Sequence, residues 1–203
     1  MIKKNKSLLG LIFSIAIIAL TLSGCSMFNN FKLNLKETTV GLPYHIETYD
    51  FTGHRIDSIT AKSAYIHTDS SMSKTDDNGN QQSSVIDVDY GNKRMIHVGA
   101  TLIAYTGLKN YMSDFNKHNK IDDNDRSFTF ATKIYRDYKN DWTGEKRIVF
   151  IKSQSGYPIA VFVGKKVSIN QTSMKNATNF TIDGQRLFVY RCDYTVYPVS
   201  SLK

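Results

Sequence analysis

Large apolar residues recur at every second position through much of the chain beyond residue 40, and short clusters of Gly, Asn, Asp, Ser and Pro interrupt them. A period of two puts alternate side chains on one face of an extended backbone, so the pattern specifies half-buried strands and leaves little room for helices. Tyr44 to Phe51 and Arg55 to His67 flank a turn at Asp50–His54, with Ile59, Ala61, Ser63 and Tyr65 on one face of the second strand. Val85, Ile86 and Val88 lead through Asp89-Tyr90-Gly91-Asn92 into Arg94–Val98 and on to Thr101–Tyr105, the clearest hairpin of the chain. Arg147–Ile151 and Ile159–Val163 flank Ser155-Gly156-Tyr157-Pro158 as a second hairpin. A third joins Asn179–Ile182 through Asp183-Gly184 to a long strand, Arg186–Val196, with Phe188, Tyr190, Cys192, Tyr194 and Val196 on one face. Phe128, Phe130 and Ile134 resume the alternation after a polar break at Asn119–Arg126.

A single stretch has helical spacing. Leu108, Tyr111, Met112 and Phe115 fall at i, i+3, i+4 and i+7, with Thr106 as the expected N-cap. The expected fold is therefore mainly β, an antiparallel sandwich or partly open barrel with one short amphipathic helix, and an α+β arrangement is the alternative. Ser70 to Gln82 carries Met72 as its one large apolar residue and reads as a surface loop.

The N-terminus obeys a different rule. Lys3, Lys4 and Lys6 precede Ser7–Leu22, which contains no charge. This run of about 16 residues is short of the roughly 20 that a spanning helix needs, and suits the apolar region of an export signal. The lysines keep the N-terminus cytoplasmic. Removing residues 1–24 takes three of the lysines from a chain whose net charge is +8, leaving a moderately basic domain.

Leu22-Ser23-Gly24-Cys25 resembles the lipobox of bacterial lipoproteins: an aliphatic residue, two small residues and an obligatory cysteine. The resemblance implies a diacylglyceryl group on Cys25, cleavage between Gly24 and Cys25, and attachment to the outer face of the cytoplasmic membrane. Two acyl chains hold stably where one holds marginally. The mature part is similar in texture to Gram-positive lipoproteins with an uncharacterised extracytoplasmic domain, through Leu42–Tyr49 and His97–Tyr105. This divides the chain into a signal peptide at 1–24, a lipidated N-terminus and tether at 25–39 whose end reads as a first strand, and one β-rich extracytoplasmic domain at 40–203.

Chemistry-bearing motifs are sparse. His45, His54, His67, His97 and His118 are dispersed without metal-ligand spacing, and neither a nucleophile elbow nor a phosphate loop occurs. No cofactor or metal is therefore expected. His97 in an apolar strand could orient a nucleophile, although packing is the plainer role. Cys192 sits between Tyr190 and Tyr194 and reads as a core residue rather than an activated thiolate. Asp76-Asp77-Asn78-Gly79-Asn80 and Asp122-Asp123-Asn124-Asp125 offer oxygen donors for Ca²⁺, but with Asp76 as the first position the sixth is Gln81 where the EF-hand turn requires glycine, which favours solvated turns. Tyr135, Tyr138 and Trp142 could stack on sugars or simply build a core. Lys109, Lys117, Lys120, Lys133, Arg136, Lys139 and the Lys165-Lys166 pair give a basic surface for which anionic wall polymers and headgroups are the available partners, nucleic acid being a poor partner for an exported chain.

The expectation is a non-enzymatic membrane-anchored binding or accessory module for an envelope polymer or a membrane protein. An envelope hydrolase or transferase with an unfamiliar site, and a lipoprotein that excludes phage or toxin, are the alternatives.

Overall fold

The computed structural model describes residues 31–33, 42–69, 71–72, 85–118, 128–142, 144–170, 172 and 174–202. Thirteen strands form three antiparallel sheets, here called A, B and C. Sheet A contains β1 (Phe31–Leu33), β4 (Ala64–Thr68), β5 (Val85–Tyr90) and β6 (Lys93–Val98), in that spatial order. Sheet B contains β2 (Tyr44–Tyr49), β3 (Arg55–Ala61), β7 (Thr101–Thr106), β10 (Val167–Asn170), β11 (Ala177–Ile182) and β12 (Gln185–Tyr190), ordered β10-β11-β12-β7-β2-β3. Sheet C contains β8 (Arg147–Lys152), β9 (Pro158–Gly164) and β13 (Asp193–Pro198), ordered β13-β8-β9. The expected mainly β class holds.

The alternation explains the stacking. Tyr44, Ile46, Leu102, Ala104, Phe188 and Tyr190 leave one face of sheet B and meet Ile66, Ile86 and Val88 of sheet A. Their neighbours Ile103, Tyr105, Leu187 and Val189 leave the other face and meet Val149, Ile151 and Phe162 of sheet C. The far side of sheet C, with Ile148, Phe150 and Val161, is covered by α1 (Tyr111–His118), α2 (Phe128–Tyr138) and a 3-10 turn at Val199–Leu202. Sheet B is thus a middle layer buried on both faces, as expected of its near-continuous apolar strands Thr101–Thr106 and Gln185–Tyr190. Among the described residues, no further sheet packs on the other face of sheet A.

Several sequence expectations are corrected. Arg55–His67 is two strands, not one: the chain breaks at Lys62–Ser63 and passes from sheet B to sheet A. Arg186–Val196 likewise breaks after Tyr190, where Arg191 adopts φ 50° and redirects the chain from sheet B into sheet C. That left-handed conformation is held on both sides, since Arg191 N–H donates to Asn176 O at 2.9 Å and Arg191 O accepts from Thr101 Oγ1 at 2.6 Å. The Phe128, Phe130, Ile134 segment is helical, because Phe130, Ala131 and Ile134 form one buried stripe. The first helix is capped by Asn110, whose Oδ1 accepts from Met112 N at 3.1 Å, and not by Thr106, which ends β7. Residues 73–84, most of the expected Ser70–Gln82 loop, lie outside the described residues.

The crossing from β9 to β10 depends on Gly164. A Cβ there would meet Ile182 Cγ2 at 2.5 Å and Asp183 Oδ2 at 2.8 Å. Ile182 is fully buried, and the Asp183 carboxylate accepts from Lys165 N at 3.1 Å and Lys166 N at 2.8 Å, so neither neighbour is free to give way. Gly164→Ala is expected to lower stability by about 1–3 kcal/mol, the usual cost of overpacking. An unchanged urea midpoint would show that the crossing is looser than its contacts indicate.

Candidate functional site

The face of sheet A turned away from sheet B carries an ionic cluster. Ile66, Ile86, Val88, Met95 and His97 turn toward sheet B, so alternation sends Tyr65, His67, Asp87, Asp89, Arg94 and Ile96 to the opposite face. The register sets His67 opposite Asp87, Asp87 opposite Ile96 and Asp89 opposite Arg94. His67 Nε2 lies 3.1 Å from Asp89 Oδ2 and 3.9 Å from Asp87 Oδ2, and its ring stacks on Tyr65 with centroids 4.6 Å apart. The Arg94 guanidinium donates to Asp87 Oδ2. Asp87 is 0% exposed, and its second oxygen, Oδ1, has no hydrogen-bond partner.

Burial penalises an unpaired carboxylate heavily, so Arg94 and His67 are what make a charge at Asp87 tolerable. The arrangement leaves one carboxylate oxygen of the cluster without a donor. Asp69 lies at the end of β4, with its N–H donating to Val85 O at 3.1 Å. Hydrogen bonds from Ser71 Oγ at 2.5 Å, Ser71 N at 2.8 Å and Met72 N at 3.2 Å hold its carboxyl below the usual carboxylate range. Asp87 and Asp69 are buried, so the exposed charges of this face are the Asp89 carboxylate and the Arg94 guanidinium, with exposed Ile96 beside them. Among the described residues no group of three or more His, Cys, Asp or Glu side chains is placed to hold a metal ion.

A second polar cluster lies at one end of the interface between sheets B and C. Glu47 is buried; Tyr49 OH donates to its Oε2 at 2.7 Å and Arg55 Nη1 to its Oε1 at 3.2 Å. Burial, then the Glu47 charge, pushes the Tyr49 and Tyr105 phenols well above their ordinary range. His45 stacks on Tyr105 with centroids 5.2 Å apart. This cluster neutralises a buried carboxylate between two sheets and is structural.

The structure separates the other sequence candidates. His97 is buried, with Nε2 2.9 Å from Ala100 O and its ring edge-on to Tyr190, so it is engaged in the core rather than with a nucleophile. Cys192 lies at the break between β12 and β13 and not within a strand; burial pushes its thiol up to about 12, the opposite of activation. Trp142 is 1% exposed and ringed by Tyr111, Tyr135 and Tyr138 in the helical layer, so it is core and not a sugar platform. The Lys109 ammonium sits over Tyr111 and 3.3 Å from Asp114 Oδ2. Leu22, Ser23, Gly24 and Cys25, and both acidic loops considered for Ca²⁺, lie outside the described residues.

Sequence reasoning missed the sheet A cluster. Its signal was present: Asp87 and Asp89 occupy alternate positions of an otherwise apolar strand, and Arg94 returns across the Gly91-Asn92 turn to face them.

No curated protein and no solved structure matches the chain. The model of a domain of unknown function, DUF5052, matches residues 6–202, and the chain belongs to that family.

Proposed function

We propose that this chain is a lipoprotein held on the outer face of the cytoplasmic membrane by a diacylglyceryl group on Cys25, and that its domain is a non-enzymatic binding module for a protein partner. The observation that carries the anchor is the sequence itself: three lysines, an uncharged run and Leu22-Ser23-Gly24-Cys25 in the order that lipid attachment requires. The binding reading is supported by the side of sheet A turned away from sheet B, where exposed Ile96 lies beside the half-exposed Arg94 guanidinium and Asp89 carboxylate. Charges of both signs around an apolar side chain suit the mixed surface of a protein better than a uniformly anionic polymer.

Cys25→Ala is expected to abolish the lipid mass on the N-terminal peptide and to leave precursor or release the protein from membranes almost completely. Mature-sized protein retained on membranes after that substitution would overturn the anchor. A photocrosslinking side chain at Ile96 is expected to yield one discrete protein adduct on intact cells, absent from Ser168 on β10 and lost on Asp89→Lys substitution. Equal yields at the two positions would refute the binding face.

A further inference from the structure

Four of the seven exposed large apolar side chains among the described residues lie together. Phe51 is 63% exposed, Val98 59%, Ile56 57% and Met72 56%, and these four belong to neighbouring turns and strand ends. The connection is traceable bond by bond. Val98 pairs with Val85, whose carbonyl accepts from Asp69 N, three residues before Met72. Gly99 follows Val98 and its carbonyl accepts from Gln154 Nε2 at 3.2 Å, while Ser155 Oγ donates to Phe51 O. Ile56 follows Arg55, which pairs with Tyr49 at the start of the same β2–β3 turn. One pole of the domain therefore gathers the β2–β3, β6–β7 and β8–β9 turns together with the end of β4.

The chain enters at this pole. β1 runs antiparallel to β4 with Phe31 opposite Ile66, two residues before Thr68, so the N-terminal end of β1 is the end nearer Asp69 and Met72. Phe31 is six residues from Cys25, a separation of at most about 20 Å even at full extension. If Cys25 carries its acyl chains in the bilayer, this pole is the end of the domain held nearest the headgroups.

We propose that the domain docks on the lipid surface through this pole, with Phe51, Met72 and Val98 entering the interfacial region and Ile56 at its margin. The inference rests on the lipid-anchor reading and adds an orientation to it. Aromatic and aliphatic side chains at this depth gain by leaving water. The neighbouring polar groups are engaged within the domain: the Asp50 carboxylate accepts from Thr52 N at 2.8 Å and His54 N at 2.9 Å, and Arg55 pairs with Glu47. Docking in this pose turns the Ile96 face of sheet A sideways, roughly perpendicular to the membrane, where a membrane protein can reach it.

The test uses the full-length lipidated protein in vesicles of phosphatidylethanolamine and phosphatidylglycerol with acyl chains brominated near the headgroup. Phe51→Trp and Val98→Trp are compared with Ile169→Trp, an equally exposed site on β10, each corrected for the buried Trp142. The first two are expected to lose at least half of the added emission and the third less than a tenth. Equal, weak quenching at all three positions in protein that carries the lipid mass and floats with the vesicles overturns the docking pose and leaves the anchor standing. Protein without the lipid mass that fails to float overturns both.

Discussion

Phe150→Ala should cost about 3–5 kcal/mol, because it removes a wholly buried ring and leaves a cavity that a rigid sheet cannot close. Phe150 is 1% exposed and stacks on Phe130 of α2 with centroids 5.7 Å apart, where the helical layer meets sheet C. A loss of that size is a large share of the 5–15 kcal/mol typical of a domain. For a chain of this length it lowers Tm by about 6–20 °C, readable by calorimetry. A drop of less than about 1 kcal/mol would mean that α1 and α2 contribute little to holding sheet C. The exposed Phe51→Ala is the matched control and should stay within about 0.5 kcal/mol.

The second large effect is alkaline destabilisation. The Cys192 thiol is pushed by burial from its ordinary value near 9 up to about 12. Tyr49 and Tyr105 are raised above their ordinary 10. In each case the native state keeps its proton after the unfolded chain has lost it, so the stability present at neutral pH is lost as pH rises through the unfolded value. Each pH unit inside a group's window costs about 1.4 kcal/mol. Cys192 alone therefore removes about 3 kcal/mol between pH 9 and 11.5, and the phenols add to this above pH 10. Urea midpoints taken from pH 8 to 11.5 should fall steeply, and Cys192→Ala should flatten the first part of the fall. A midpoint constant up to pH 11 would contradict the burial of these groups.

The hairpins β5–β6, β8–β9 and β11–β12 were legible because each turn is written in the residues it needs: Gly91-Asn92, Ser155-Gly156 and Asp183-Gly184. The exchanges between sheets were not. Alternation continues unbroken past Ser63 and past Arg191, and a period of two reports which residues face inward without reporting which sheet receives them. Arg191 conceals its corner especially well, since a non-glycine residue at φ 50° is stabilised there by Asn176 and Thr101, partners distant in sequence. The second helix was hidden because Phe128, Phe130 and Ile134 fit a strand unless Ala131 and Tyr135 are weighed with them. The ionic cluster needed the register of β4 against β5, which joins His67 to Asp87 and Asp89 across a segment of low apolar content.

Sheet B takes its strands from three separated stretches, β2 and β3, then β7, then β10 to β12, with sheet A and the helices inserted between them. A polypeptide threaded outward from its N-terminus cannot complete that middle layer until Tyr190 has emerged. Long-range pairing of this kind is slow, with rates in the millisecond-to-second range. Until then β2 and β7 have unpaired edges and exposed apolar faces, so the newly made chain passes through an interval in which proteolysis and misassociation compete with folding.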